Sequence, residues 1–249
     1  MAYAIVLSGG GARGIAHLGV LQALDEASIK IEAISGTSAG AIVGAFYSAG
    51  YAPKKILDII NHTRFFTLLR PAISTSGLLD IQAISKLFSQ YLPQSFEELK
   101  TRLVINATNL DTGQTVYFSQ GELIETILAA SCIPAVFKPV ELKGKRYVDG
   151  GMLNNLPLEP FMKENLSIIG VHTNPIDDNF NSSSAKQIIE RCLLMAISGN
   201  VVSKVDQCDY FIEPPLLAKF GGMDLSNANK LYEIGYHYAK EFLSINKLR

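Results

Sequence analysis

Apolar positions along this chain alternate between two spacings. Short continuous apolar runs ending in glycine or polar residues predict buried strands, and apolar residues three and four apart predict helices. Tyr3–Leu7 is such a run, followed by glycines. Ile15–Ala27 then carries Ile15, Leu18, Leu21 and Leu24 at helical spacing, and Ile31–Ser35 reads as a second strand. Ala39–Ala49 predicts a helix of small residues closed by Gly50, and Pro53 opens another through about His62. From Arg64 to Gly77 the pattern is irregular and apolar, and a helix over Asp80–Tyr91 follows with Asp80 at its N-cap.

The second half continues in the same way. Leu103–Ala107 and Thr115–Phe118 predict strands around the turn Asp111-Thr112-Gly113, and Glu122–Ala130 a helix. Lys138–Leu142 and Arg146–Val148 predict a hairpin about Lys143-Gly144-Lys145. Ser167–His172 and Tyr210–Ile212 predict further strands, and Ile188–Asp206 and Asn227–Ser244 the last helices. Strands alternating with helices imply a three-layer α/β/α fold with a mostly parallel central sheet. No repeat or linker divides residues 1–249, so a single domain is expected.

Composition narrows the function. Twenty-two basic and 23 acidic residues give a net charge of -1, without the electrostatic footprint of a nucleic-acid binder. Three cysteines, Cys132, Cys192 and Cys208, fit free thiols in a cytoplasmic protein. There is no Cys-x-x-Cys pair and no histidine cluster, so neither a metal nor another cofactor is expected. The N-terminus lacks a basic leader, and Ala39–Ala49 is too short to span a bilayer.

Three motifs carry the chemistry. Gly36-Thr37-Ser38-Ala39-Gly40 matches G-x-S-x-G between a predicted strand and helix, where a tight turn exposes a nucleophilic serine at a helix N-terminus. Gly36, Gly40 and Gly44 recur every four residues, a spacing that suits membrane helix pairing or, beside Ala41 and Ala45, close packing on a sheet. Gly9 to Gly14 matches G-x-G-x-x-G, which admits two readings. As a dinucleotide loop it would pair with Glu32, but the end of the second strand is occupied by the serine turn. Alternatively its amides form an oxyanion hole beside that turn. Asp149-Gly150-Gly151 places an aspartate at a strand end, as a site residue or a plain turn residue.

Together the three motifs resemble the patatin-like phospholipases, whose pattern is G-G-G-x-R-G, then G-x-S-x-G, then D-G-[GA]. Ser131-x-x-Pro134-x-x-Phe137-x-Pro139 is similar to the segment preceding the aspartate in that family. The resemblance covers residues 4 to 158. It implies a lipid acyl hydrolase with a Ser38–Asp149 dyad, an acyl-enzyme, and an oxyanion hole from the amides of Gly10, Gly11 and Ala12. Arg13 would support that loop or meet a substrate phosphate. A carboxyl group acting as base at neutral pH implies that burial raises its pKa.

The remaining candidates are weaker. Phe65, Phe66, Leu68 and Leu69 border an acyl-chain channel, touch a lipid surface, or cap the core. His17, His62 and His237 read as structural, whereas His172 ends a strand and completes a Ser-Asp-His order. The expected partner is a lipid ester, with transient membrane-surface contact; oligomeric state is left open. A nucleotide-dependent oxidoreductase and a catalytically silent binding protein are the competing classes.

Overall fold

The structure is a computed structural model that describes residues 2–62, 82–134, 136–222, 226–246 and 248. Asp80, Phe65, Phe66, Leu68 and Leu69 lie outside the described residues. The chain begins with a βαβ unit: β1 (Tyr3–Leu7), a 3-10 turn (Gly11–Ile15), α1 (Ala16–Glu26) and β2 (Ile31–Gly36). α2 (Ala39–Ser48), α3 (Pro53–His62) and α4 (Gln82–Phe88) follow. Next come β3 (Arg102–Asn109), β4 (Gln114–Phe118), α5 (Leu123–Ala130), β5 (Val140–Leu142) and β6 (Lys145–Asp149). β7 (Ser167–Val171), α6 (Ala185–Val202), β8 (Tyr210–Ile212) and α7 (Ala228–Asn246) complete it. Element boundaries agree with the sequence pattern to within a few residues, the range in which helix ends fray.

The sheet is mixed. β3-β2-β1-β7-β8 form a parallel block, and β4, β5 and β6 add an antiparallel wing. The mostly parallel sheet expected is present, and the two hairpins expected about Asp111-Thr112-Gly113 and Lys143-Gly144-Lys145 form the wing; what the strand pattern does not encode is that β6 pairs with β3.

β1 shows why the sheet is sandwiched. Tyr3, Ile5 and Leu7 enter one apolar core with α1, α2, α5 and α7, while Ala4 and Val6 face a second core with Leu156, Leu158, Phe161 and Val201. Strands buried on both faces read as continuous apolar runs, as Tyr3–Leu7 does. α7 lies along α1 at close range: a Cβ on Gly19 would meet the Tyr232 carbonyl, and one on Gly235 the Ala16 carbonyl. Among the described residues, no helix is long and apolar enough to cross a membrane.

The pairing register around β3 sets the site. Ile105 lies opposite both Gly36 and Phe118, and Ala107 opposite both Asp149 and Val116. A strand has two edges, and β4 occupies one of them along Ile105–Asn109. β2 and β6 therefore share the other edge and run toward each other end to end. Their meeting point joins the residues after Gly36 to Asp149.

Candidate active site

Ser38 sits in the turn from β2 into α2 with φ 51° and ψ −120°. A non-glycine residue there is strained, at a cost of about 1–3 kcal/mol that surrounding packing must offset. The turn is held by the Thr37 amide donating to the Leu7 carbonyl (3.1 Å) and the Gly40 amide to the Thr37 carbonyl (2.8 Å). It is also too tight for side chains at its flanks: a Cβ on Gly36 would fall 2.5 Å from the Gly40 carbonyl oxygen, and one on Gly40 would meet the Leu7 carbonyl. Gly44 packs against Ile34 and Leu103, so the four-residue glycine spacing serves sheet packing.

Asp149 ends β6, and its carboxylate accepts from the Gly151 amide at 2.8 Å and from the Ser38 hydroxyl. Its own amide donates to the Cys132 carbonyl at 2.9 Å, which brings the Ser131–Pro139 segment against it. Burial pushes the Asp149 carboxyl up to about 6, against the two hydrogen bonds, which favour the anion. Burial and the neighbouring Asp149 push the Cys132 thiol up to about 12, so that sulfur stays protonated.

The glycine loop lies beside the serine. A Cβ added to Gly9 would come 3.2 Å from the Ser38 Cβ and 2.5 Å from Asn155 Oδ1. The Gly9 amide donates to Asn155 Oδ1 at 3.1 Å. The Ala12 amide donates to the Gly222 carbonyl at 2.7 Å, which corrects its expected place among the free donors. Gly10 and Gly11 amides have no acceptor among the described residues, and neither does the amide of Ala39, the residue after Ser38. A motif read as letters misses Ala39, because it records side chains rather than unspent amides.

Arg13 is buried, and its guanidinium is engaged by main-chain carbonyls. Its guanidinium donates to the carbonyls of Phe220 (2.7 Å), Pro175 (3.4 Å) and Ala218 (3.4 Å), tying the glycine loop to the chain after β7 and β8. Arg13→Met, which keeps the stem and deletes the donors, is expected to cost about 3 kcal/mol in urea unfolding. The activity ratio between a phosphate-bearing and an uncharged ester should stay unchanged; a selective loss on the phosphate ester would return Arg13 to the substrate.

The histidines separate cleanly. His17 is buried with Nε2 at 2.8 Å from the Ser8 carbonyl, and burial holds its imidazole near 4, so it is neutral and braces the glycine loop. His172 Nδ1 lies 2.5 Å from Glu213 Oε1 and its ring stacks on Phe211; its partner is not Asp149. His62 and His237 are exposed and pair with the Asp58 carbonyl and with Glu233. Glu32 pairs with Lys30 near the start of β2, at the sheet end opposite the glycine loop, which removes it as a ribose partner.

A polar network behind Ser38 and Asp149 joins the segments that carry them. The Thr37 hydroxyl donates to Asn106 Oδ1 at 2.5 Å, and Asn106 Nδ2 donates to the Asn154 carbonyl at 2.8 Å. Asn155 bridges the loops, accepting from Gly9 while its amide donates to Asn200 Oδ1. Asn200 Nδ2 in turn donates to the Gly151 carbonyl at 3.1 Å. Asn106, an amide inside the apolar run Leu103–Ala107, is the available sequence signal, because buried polar side chains need partners. An apolar cavity opens beside this arrangement, lined by Gly11, Ala39, Ile42, Phe46, Ile56 and Leu87 among others.

Comparison with known proteins resolves the family. The patatin-like phospholipase family pattern matches residues 5–162. The chain belongs to that family. An uncharacterised NTE family protein of Mycobacterium bovis is 36% identical over 168 residues, covering 66% of this chain and 47% of its own length. The lysophospholipase nte1 of Emericella nidulans is 28% identical over 97% of this chain and 18% of its own. The chain therefore spans about half or less of these curated relatives. VipD from Legionella pneumophila shares the fold at TM-score 0.58 and 16% identity, covering 98% of this chain and 67% of VipD. The type III effector protein ExoU does so at TM-score 0.53 and 18% identity, covering 100% of this chain and 54% of ExoU. The family match ends near residue 162, so β7, α6, β8 and α7 are the part of this patatin-like chain beyond the matched region.

Proposed function

We propose that this chain is a serine acyl hydrolase that cleaves carboxylic esters of lipids through a Ser38–Asp149 dyad. One observation carries the reading: a strained serine at a strand-to-helix turn hydrogen-bonded to a buried aspartate from the strand running toward it. In the first step Ser38 Oγ attacks the ester carbonyl as Asp149 takes its proton, and the amides of Gly10, Gly11 and Ala39 receive the developing oxyanion. The alcohol leaves with the proton from Asp149. Water then gives its proton to Asp149 and attacks the acyl-enzyme, releasing the fatty acid and regenerating Ser38. Raising the carboxyl toward 6 makes it a stronger base than an exposed aspartate. The apolar cavity beside Ala39 supports an acyl chain as the group held by the enzyme. The fungal relatives named lysophospholipases make a single-chain phospholipid the first substrate to test.

The test is fatty-acid release from lysophosphatidylcholine without added metal, whose headgroup does not titrate in the range of interest. The active form carries Asp149 as carboxylate, so kcat/KM is expected to rise about tenfold per pH unit below 6 and level off above it. A folded protein that releases no fatty acid from this or a short-chain ester would refute the assignment.

A further inference from the structure

α6 is built inside out. Three of its polar residues face the protein, Ser198 donating to the Asn174 carbonyl at 3.1 Å, Asn200 to Gly151, and Arg191 to the Asp177 carbonyl at 2.6 Å, while Gln187 and Glu190 near its start are exposed. Its outer side is apolar and open, with Ile188 at 43%, Ile189 at 61%, Met195 at 52% and Val202 at 73% exposure. A continuous apolar face of this kind on a folded domain marks an interaction surface.

The spacing on that face is regular. Ile188, Cys192, Met195, Gly199 and Val202 follow one another at intervals of four, three, four and three residues, the seam spacing of paired helices. Large and small side chains alternate along it, Ile188, Met195 and Val202 being large and Cys192 and Gly199 small.

Gly199 identifies the kind of partner. Five glycines lie inside α-helices of the described residues: Gly19, Gly40, Gly44, Gly199 and Gly235. Four of them are explained by a strand or helix pressed against them, whereas a Cβ on Gly199 would meet no heavy atom within 4 Å among the described residues. A glycine within a helix costs up to roughly 1 kcal/mol relative to alanine, and no close contact among the described residues calls for one at Gly199, in the last turn of α6. A lipid surface would favour a larger apolar residue here. A second helix approaching to backbone distance requires a small one, as α1 and α7 show within this chain.

We propose that α6 pairs antiparallel with α6 of a second copy of this chain. A two-fold axis across the helices sets each small seam residue opposite a large one of the partner, so the face complements itself. The paired helix is the one whose inner side holds the Gly151 carbonyl and the Asn155 amide through Asn200. The proposal does not depend on the hydrolase reading.

Sedimentation velocity on the full chain at micromolar concentration, with and without phosphatidylcholine vesicles, tests it. The wild type is expected to sediment as a dimer without lipid, and to remain one at high salt because the seam is apolar. Gly199→Leu adds bulk where the chain itself has room and should raise the dimer dissociation constant about 100-fold. Met195→Lys should also give monomers, with the helical circular dichroism of both variants unchanged. A wild type that is monomeric without lipid, or a dimer indifferent to both substitutions, would overturn the proposal. Vesicle binding by a monomer that Gly199→Leu strengthens would overturn it in favour of a membrane.

Discussion

Ser38→Ala is expected to abolish labelling by a fluorophosphonate probe and to lower kcat about 10⁴-fold or more, as for other deleted nucleophiles. The fold should survive, because the hydroxyl is one of two donors to Asp149 and the turn is held by backbone bonds from Thr37 and Gly40. The backbone at φ 51° adds a control. Ser38→Gly is equally without a nucleophile but relieves the strain, and should be more stable than Ser38→Ala by about 1 kcal/mol in chemical denaturation. Retained labelling in either variant would move the nucleophile elsewhere.

Asp149→Asn is expected to separate activity from stability. Loss of the base should lower kcat about 10²–10⁴-fold, while the amide can still accept from Gly151. Stability should change in the opposite direction. The carboxyl rises from 3.8, its ordinary value in the unfolded chain, to about 6 in the fold, so protonation favours folding. This group's contribution is fully present below 3.8 and is lost as the pH rises through 6. At neutral pH the buried anion destabilises by roughly 2–3 kcal/mol, at about 1.4 kcal/mol for each pH unit between the two values. The variant should exceed the wild type by up to that amount at pH 8, and the gap should close toward pH 4. His172→Ala should keep activity within about tenfold, since that ring is engaged by Glu213. A loss in His172→Ala matching Ser38→Ala would restore the Ser-Asp-His alternative.

Legibility in the sequence follows the range of each interaction. The Ser38 turn is readable because both its glycines fall within five residues of chain, although only Gly36 answers a clash inside the turn and Gly40 instead clears the Leu7 carbonyl. Asp149 on its own could be a turn residue; only its company with the other motifs selects it. Ala12 is misassigned by sequence because its acceptor, Gly222, lies far along the chain. The hairpins of the antiparallel wing are readable from their turns, but the pairing of β6 with β3 is not: that β6 meets β2 end to end depends on where β3 pairs, and pairing leaves little trace in the alternation of a strand. Buried Asn106, Asn154 and Asn155 and half-buried Asn200 join the two loops, and their partners exist only once the sheet is assembled.

The packing of α7 along α1 has a consequence for synthesis. The βαβ unit that carries the glycine loop and Ser38 is made before Tyr232 and Gly235, which cover the backbone of its helix and follow the whole sheet in the chain. Until α7 arrives, the apolar flank of α1 has no cover from it. A chain assembled in that order completes the packing around its glycine loop and Ser38 only once α7 has been made.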